Sequence, residues 1–297
     1  MAMQVSESAR LVCSPVETSS GEGNGIDIVR GLPNEKYNAH KNLGSTAIKW
    51  LKESFSNRHR VRHLKSQGIS DGQHWHTLLD LGPEAFGNRA VVAPEEYCLA
   101  SGGISTKKDA KEWIASLPED AIPLTPRTSD LLGKMLDQFQ QNSASWEIYE
   151  SLHEQEISVF WQWMGVPVKA RPDAITRCGR LIDWKSTSDP DPKRQFGRAV
   201  ERYGYGLSAA LYEEGCRISG LCESDMWFVV SSTTSYETQV MRLPPAYLAK
   251  CRDDLMLLLE QIAEREQSRN WLPEGYGEVI EIPMWGYSSS SNWFRAE

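Results

Sequence analysis

Apolar positions along this chain fall into two regimes. Up to about Phe139 they recur at steps of three and four, the spacing of helices with one buried face. The spacing predicts a helix through Ile48, Trp50, Leu51 and Phe55, capped by Ser45. A second helix covers Asp71 to Asp80 and ends by Gly82-Pro83. A short strand at 88–94 and a short helix around Trp113 follow, then a helix capped by Thr128 or Ser129 that buries Leu132, Met135, Leu136 and Phe139. From Ile157 the pattern turns to strands. Ile157–Trp163, Val166–Asp173 and Leu181–Lys185 read as a meander, with a turn at Cys178-Gly179 before the last strand. One long helix opens at Pro190-Asp-Pro192 and runs to Glu214, with Phe196, Val200, Tyr203, Leu207 and Leu211 as its stripe. Strands at Met226–Ser232 and Thr238–Leu243 precede a final helix. That helix starts at Pro244-Pro245 and turns Leu248, Cys251, Leu255, Leu258, Leu259 and Ile262 inward.

Residues 1–25 are rich in Ser, Glu and Gly without periodicity, and are expected to be a disordered tail. The remainder, 26–297, reads as a single mixed α/β (α+β) domain. Its mainly helical part spans 26–150, and a sheet with flanking helices spans 151–297.

Composition narrows the picture only slightly. The 297 residues, 40% hydrophobic and 24% charged, suffice for a sizeable core. The formal charge of −8 argues against broad affinity for nucleic acid, so any DNA contact must rest on local basic patches. Two such patches exist. The run Asn57 to Lys65 reads as a solvated helix end, whereas Arg194, Arg198 and Arg202 stand four residues apart on one helix face. Six cysteines (13, 98, 178, 216, 222, 251) lack CxxC spacing and read as free thiols, not as a zinc site, disulfide frame or iron–sulfur cluster. No apolar run is long enough for a membrane span and no signal-peptide pattern opens the chain, so a cytoplasmic location is expected.

The chemistry concentrates between Val168 and Thr187. Strand side chains alternate, so Asp183 and Lys185 share a face while Trp184 takes the other. A buried carboxylate and ammonium must be paired or metal-bound, because stranding either costs several kcal/mol. A structural ion pair and an active site fit this strand equally well. The pattern Asp-x-Lys has no weight alone, since Asp109-Ala-Lys111 and Asp191-Pro-Lys193 also match it off any apolar strand. Three features bear on the choice: His76, whose neutral imidazole can ligate a metal, Glu156 just before the first strand, and the arginine stripe one turn downstream.

Arg171-Pro-Asp173 with Asp183-Trp-Lys185 resembles the PD-(D/E)XK nuclease signature. Its surroundings, from Gly31 to Trp285, resemble the RecE-like (exonuclease VIII-type) nucleases of phages and prophages. Leu43 to Ile48, Gly72 to His76, Leu81 to Phe86, Val92-Ala-Pro94, Glu156-Ile-Ser158, Tyr205 to Tyr212 and Trp271-Leu-Pro273 carry that likeness by order and spacing. The resemblance implies a restriction-endonuclease-like core and a Mg²⁺-dependent exonuclease (Mn²⁺ substituting) that degrades double-stranded DNA from its ends 5′→3′ for recombination. By position, His76, Asp173, Asp183 and the Trp184 carbonyl are its metal ligands. Glu156 is the acid ahead of the first strand, and Lys185 orients or deprotonates water or stabilises the phosphate. Arg194, Arg198, Arg202, Ser208 and Tyr212 would meet DNA. It further implies a bacterial host cytoplasm, a single-strand annealing partner of the RecT type and a homo-oligomeric ring. Ser208 stands where relatives usually carry Gln, which leaves substrate-end recognition open and Gln195 as a substitute. An endonuclease of restriction or repair type and a catalytically inactive DNA-binding protein are the competing readings.

Overall fold

The strand carrying Asp183 is the centre of the molecule, buried on both sides. The computed structural model describes residues 25–59, 67–222, 226–272, 276–277 and 279. The expected N-terminal tail, most of the basic run after His59 and most of the C-terminal tail therefore lie outside the described residues. In chain order the elements are β1 (Asp27–Val29), α1 (Asn34–Ala39), α2 (Ser45–Glu53), α3 (Gln67–Leu81), α4 (Pro83–Arg89), β2 (Ala90–Val92), α5 (Lys108–Ser116), β3 (Ile122–Leu124), α6 (Pro126–Gln141), α7 (Ser143–Glu150), β4 (Leu152–Gln155) and β5 (Ser158–Trp163). They continue with β6 (Val166–Ala170), β7 (Ala174–Thr176), β8 (Leu181–Thr187), α8 (Pro192–Tyr203), α9 (Tyr205–Ile218), β9 (Met226–Ser232), β10 (Thr238–Arg242) and α10 (Pro245–Ser268).

A five-stranded mixed sheet runs β10-β9-β8-β7-β4. Its β8 and β9 are parallel, with Asp183 opposite Phe228 and Lys185 opposite Val230, and the other pairs are antiparallel. A three-stranded sheet, β1-β5-β6, and a small parallel pair, β2 with β3, complete the strands. Leu181, Met226, Phe228 and Val230 face a core shared with α2, α8, α9 and α10. Ile182, Trp184 and Val229 face a second core with Trp75 of α3 and Leu132, Met135 and Phe139 of α6. Alternation along β8 thus sends Trp184 into one core while Asp183 and Lys185 look the other way. With helices on both faces, β9 is apolar from Met226 to Val230, and β8 buries Leu181, Ile182 and Trp184 around the single charged residue Asp183 before Lys185.

The structure corrects four expectations. The meander is divided: β5 and β6 form a hairpin in the smaller sheet, while β7 and β8 belong to the larger one. The break falls at Arg171-Pro172, where proline offers no N–H to a ladder. The single long helix is two, because Gly204 adopts φ +61° between α8 and α9, a left-handed conformation that suits glycine. Helix α6 starts before Thr128: Thr125 is its cap, accepting from the Thr128 N–H, and Pro126 is its first residue. Ser45 is the first residue of α2 and not its cap, and its hydroxyl meets Tyr212 instead. Helix α7 and strand β4 were not legible from the pattern, although Asn142 caps α7 through the N–H groups of Ala144 and Ser145. Among the described residues no helix is long and apolar enough to cross a membrane.

Candidate active site

Asp173 lies at the mouth of β7, and Asp183 and Lys185 on the paired β8, so the hairpin brings both acids together. The N–H of Trp184 donates to Asp173 Oδ2 at 2.7 Å. Lys185 forms an ion pair with Asp183, and its Nζ donates to the Trp184 carbonyl at 3.3 Å. Helix α3 delivers His76 from the other side. It comes close because Gly72 has no side chain: a Cβ there would stand 2.8 Å from Ser186 Oγ on β8. His76 Nδ1 lies 3.7 Å from Asp173 Oδ2, and the imidazole hydrogen-bonds to the backbone of Trp184.

Glu156 reaches the site from the turn before β5. Its backbone is left-handed at φ +52°, and its N–H donates to the Asp173 carbonyl at 3.0 Å. Arg171, the first residue of the signature, is buried and holds Glu156 Oε2 at 3.2 Å. The same guanidinium donates to Ser158 Oγ at 2.9 Å, Asn34 Oδ1 at 3.0 Å and the Leu32 carbonyl at 2.6 Å, and lies 4.2 Å from the Tyr37 ring centre. It ties the segment before α1 to the site and fixes where Glu156 points.

The electrostatics follow from burial and crowding. Burial pushes the His76 pKa down to about 4, reinforced by the charge of Lys185, so the imidazole is neutral at pH 7. Burial and then the charge of Asp183 push Asp173 well above the usual carboxylate range. For Lys185, burial disfavours the charged form, but Asp183 and Asp173 outweigh it and raise the pKa. Glu156 is raised by burial against the pull of Arg171.

Sequence reasoning missed one acid, Asp80. Burial, then the charge of Glu156, pushes its pKa up to about 7, and its Oδ1 is buried with no hydrogen-bond partner among the described residues. The available signal was its place four residues after His76, one turn along the same helix face. Because the unfolded carboxyl titrates near ~3.9, the stability tied to the proton of Asp80 is fully present below about pH 4 and lost as pH rises through 7. With divalent cations chelated, Asp80→Asn is expected to be more stable than wild type by about 1–3 kcal/mol at pH 8, the gap narrowing towards pH 5. Urea unfolding at the two pH values measures this. A wild type more stable than the variant at pH 8 contradicts it.

Of the residues expected to meet DNA, Arg194, Arg198 and Arg202 are exposed on α8, immediately downstream of β8. Ser208 is buried on α9 and accepts a hydrogen bond from Lys49 Nζ at 3.2 Å. Tyr212, one turn on, shares a 3.4 Å hydrogen bond with Ser45. Burial and the nearby Tyr37 and Asp183 raise its pKa well above the usual tyrosine range, so it belongs to the wall of the site. Gln195 is half-buried on α8. Arg58, in the described part of the basic run, is committed elsewhere: it pairs with Glu266 at 3.0 Å and lies 4.3 Å from the Trp271 ring centre.

Among the described residues no three His, Cys, Asp or Glu side chains are placed so that they could together hold a metal ion. The donor set nonetheless fits a divalent cation. It offers a neutral imidazole, two carboxylates crowded enough to raise one of their pKa values, and a backbone carbonyl. Hard oxygen donors of this kind suit Mg²⁺ or Mn²⁺.

A mixed sheet with helices on both faces, and a hairpin presenting two acids and a lysine, defines the PD-(D/E)XK nuclease fold. The chain belongs to the family described as PDDEXK-like domain of unknown function (DUF3799), whose model matches residues 97–278. Asp173, Asp183, Lys185 and Glu156 lie inside that match, while His76 and Asp80 precede it. Among solved structures the chain is similar to a protein from Eubacterium rectale that carries the provisional name of exonuclease. The two superpose with a TM-score of 0.57 at 10% identity over 86% of this chain and 97% of that one. At that identity the likeness shows the fold alone. No curated protein sequence matches the chain.

Proposed function

We propose that this protein is a divalent-cation-dependent exodeoxyribonuclease that degrades linear duplex DNA 5′→3′ and leaves 3′ single strands for recombination. The observation that carries the reading is the convergence of Asp173, Asp183, the Trp184 carbonyl and neutral His76 beside the Lys185 ammonium. Asp173, Asp183, His76 and the Trp184 carbonyl would hold Mg²⁺, with Mn²⁺ as a substitute. When bound, the cation activates water and neutralises charge on the phosphodiester. Lys185, fixed by Asp183 and the Trp184 carbonyl, presents a positive charge that orients the water or stabilises the phosphate. Arg171 positions Glu156, which holds the Asp173 carbonyl through its N–H. Exposed Arg194, Arg198 and Arg202 supply a phosphate track in a chain whose net charge is −8.

The RecE-like resemblance extends the proposal to phage or prophage origin, a ring-shaped homo-oligomer and a RecT-type annealing partner. The exonuclease reading is tested by comparing linear and covalently closed circular duplex DNA with Mg²⁺. Nucleotides are expected from the linear form only. Cutting of the closed circle would move the protein to the endonuclease reading on the same fold.

A further inference from the structure

Two helices meet over the active site in a pair of rungs. On α2, Ser45 and Lys49 stand four residues apart; on α9, so do Ser208 and Tyr212. Ser45 meets Tyr212 at 3.4 Å and Lys49 meets Ser208 at 3.2 Å, so the helices run past each other in opposite directions. The lower rung carries a charge. Lys49 Nζ lies 5.7 Å from the centre of the Tyr205 ring, and Lys185 Nζ lies 5.2 Å from the same centre. One aromatic ring thus gathers two ammonium groups, one of them belonging to the hydrolytic hairpin.

The chain is shaped to admit Lys49 there. Gly204, left-handed at φ +61°, is the junction of α8 and α9, and a Cβ on it would stand 2.9 Å from Lys49 Cδ. The lysine stem therefore lies in the notch between the two helices, with the side chain half-buried and not sealed. The arginines of α8 end at Arg202, two residues before this notch. The exposed arginines of α8 lead towards this notch along the chain, and Lys49 and Lys185 both stand against the Tyr205 ring just beyond it. Lys185 has Asp183 as its counter-ion, and Lys49, partly open to solvent, is the ammonium of the two that an incoming anion would meet. A polyanionic strand laid along this path would bring such an anion.

Resting on the nuclease reading above, we infer that Lys49, held by Ser208 and Tyr205, binds a phosphate of the substrate strand neighbouring the one to be hydrolysed. Lys49 is a binding residue for the DNA backbone and takes no part in proton transfer. Lysine on a phosphate contributes affinity that does not depend on base sequence and is weakened by salt.

The test uses the full chain with a duplex oligonucleotide, with divalent cations chelated so that no strand is cut, and fluorescence anisotropy at several salt concentrations. Lys49→Met keeps the unbranched stem in the Gly204 notch and removes the charge; Lys49→Gln is a second neutral variant, and both are checked for wild-type melting. Binding is expected to weaken about tenfold for every sequence tried, and the slope of log affinity on log salt to become shallower by about one unit. Lys49→Arg should recover both values. With Mg²⁺ restored, the neutral variants should show a raised KM and a kcat near wild type. Wild-type affinity and salt slope in both neutral variants would overturn the inference, as would a lowered kcat with unchanged KM. A wild type that neither binds nor cuts duplex DNA removes the nuclease reading itself. A wild type that cuts, alongside neutral variants indistinguishable from it in binding, removes only the role of Lys49.

Discussion

Asp183→Ala is expected to abolish cleavage of linear duplex DNA, a loss of at least about a thousandfold in rate. Asp183 sits where the sheet is least able to adapt: on a central strand, paired in parallel with β9, its side chain almost entirely buried beside Lys185. Removing it takes away a proposed cation ligand and the ion-pair partner of Lys185, which leaves the ammonium with the Trp184 carbonyl, the Tyr205 ring and the more distant charge of Asp173. Loss of the closest counter-ion of a largely buried charge also costs stability, so the alanine variant should melt earlier than wild type. Asp183→Asn separates the effects. It keeps size and hydrogen-bonding capacity, should fold closer to wild type, and should still lack activity. Full cleavage by a folded Asp183→Asn would reduce the Asp183–Lys185 pair to a structural brace, the alternative the strand pattern alone leaves open.

Lys185→Met carries the second largest effect, a fall of about a hundredfold in kcat, with cation affinity retained or increased. The reasoning is electrostatic. Methionine preserves the stem but removes the charge that pairs with Asp183, so that carboxylate is freer for a cation while the phosphate loses a counter-charge. Single-turnover cleavage at saturating Mg²⁺ reads the first quantity and a Mn²⁺ titration the second. Undiminished kcat would remove Lys185 from the mechanism. A parallel loss of cation binding would instead assign it to assembling the site.

Much of this site could be read from the sequence because its chemistry is local. Asp173, Asp183 and Lys185 are linked by one hairpin, and the alternation that sends Trp184 into one core fixes the other two on the opposite face. Long-range placement was harder. His76 and Glu156 were legible only as residue types, since their approach depends on a glycine facing Ser186 and on an arginine that holds two distant segments, around Leu32 and Asn34 and around Glu156 and Ser158. Asp80 escaped because an acid on an amphipathic helix ordinarily reads as solvated. Lys49 escaped because nothing in α2 announces that its lysine crosses to α9. Among the elements, the misread ones hinge on single residues: Gly204 divides a helix and Pro172 divides a strand pair, while each apolar pattern continues across the break. Helix α7 has only Ile148 and Ser145 fully buried, too little to show a period.

The central claim is that the Asp173–Asp183–Lys185 hairpin hydrolyses DNA with a divalent cation. Its most direct measurement is release of acid-soluble nucleotide from end-labelled linear duplex, run side by side for wild type and Asp183→Asn, with Mg²⁺ and with a chelator. The prediction is release by wild type in Mg²⁺ alone. Release by wild type in chelator, or by the variant at the wild-type rate, would contradict it.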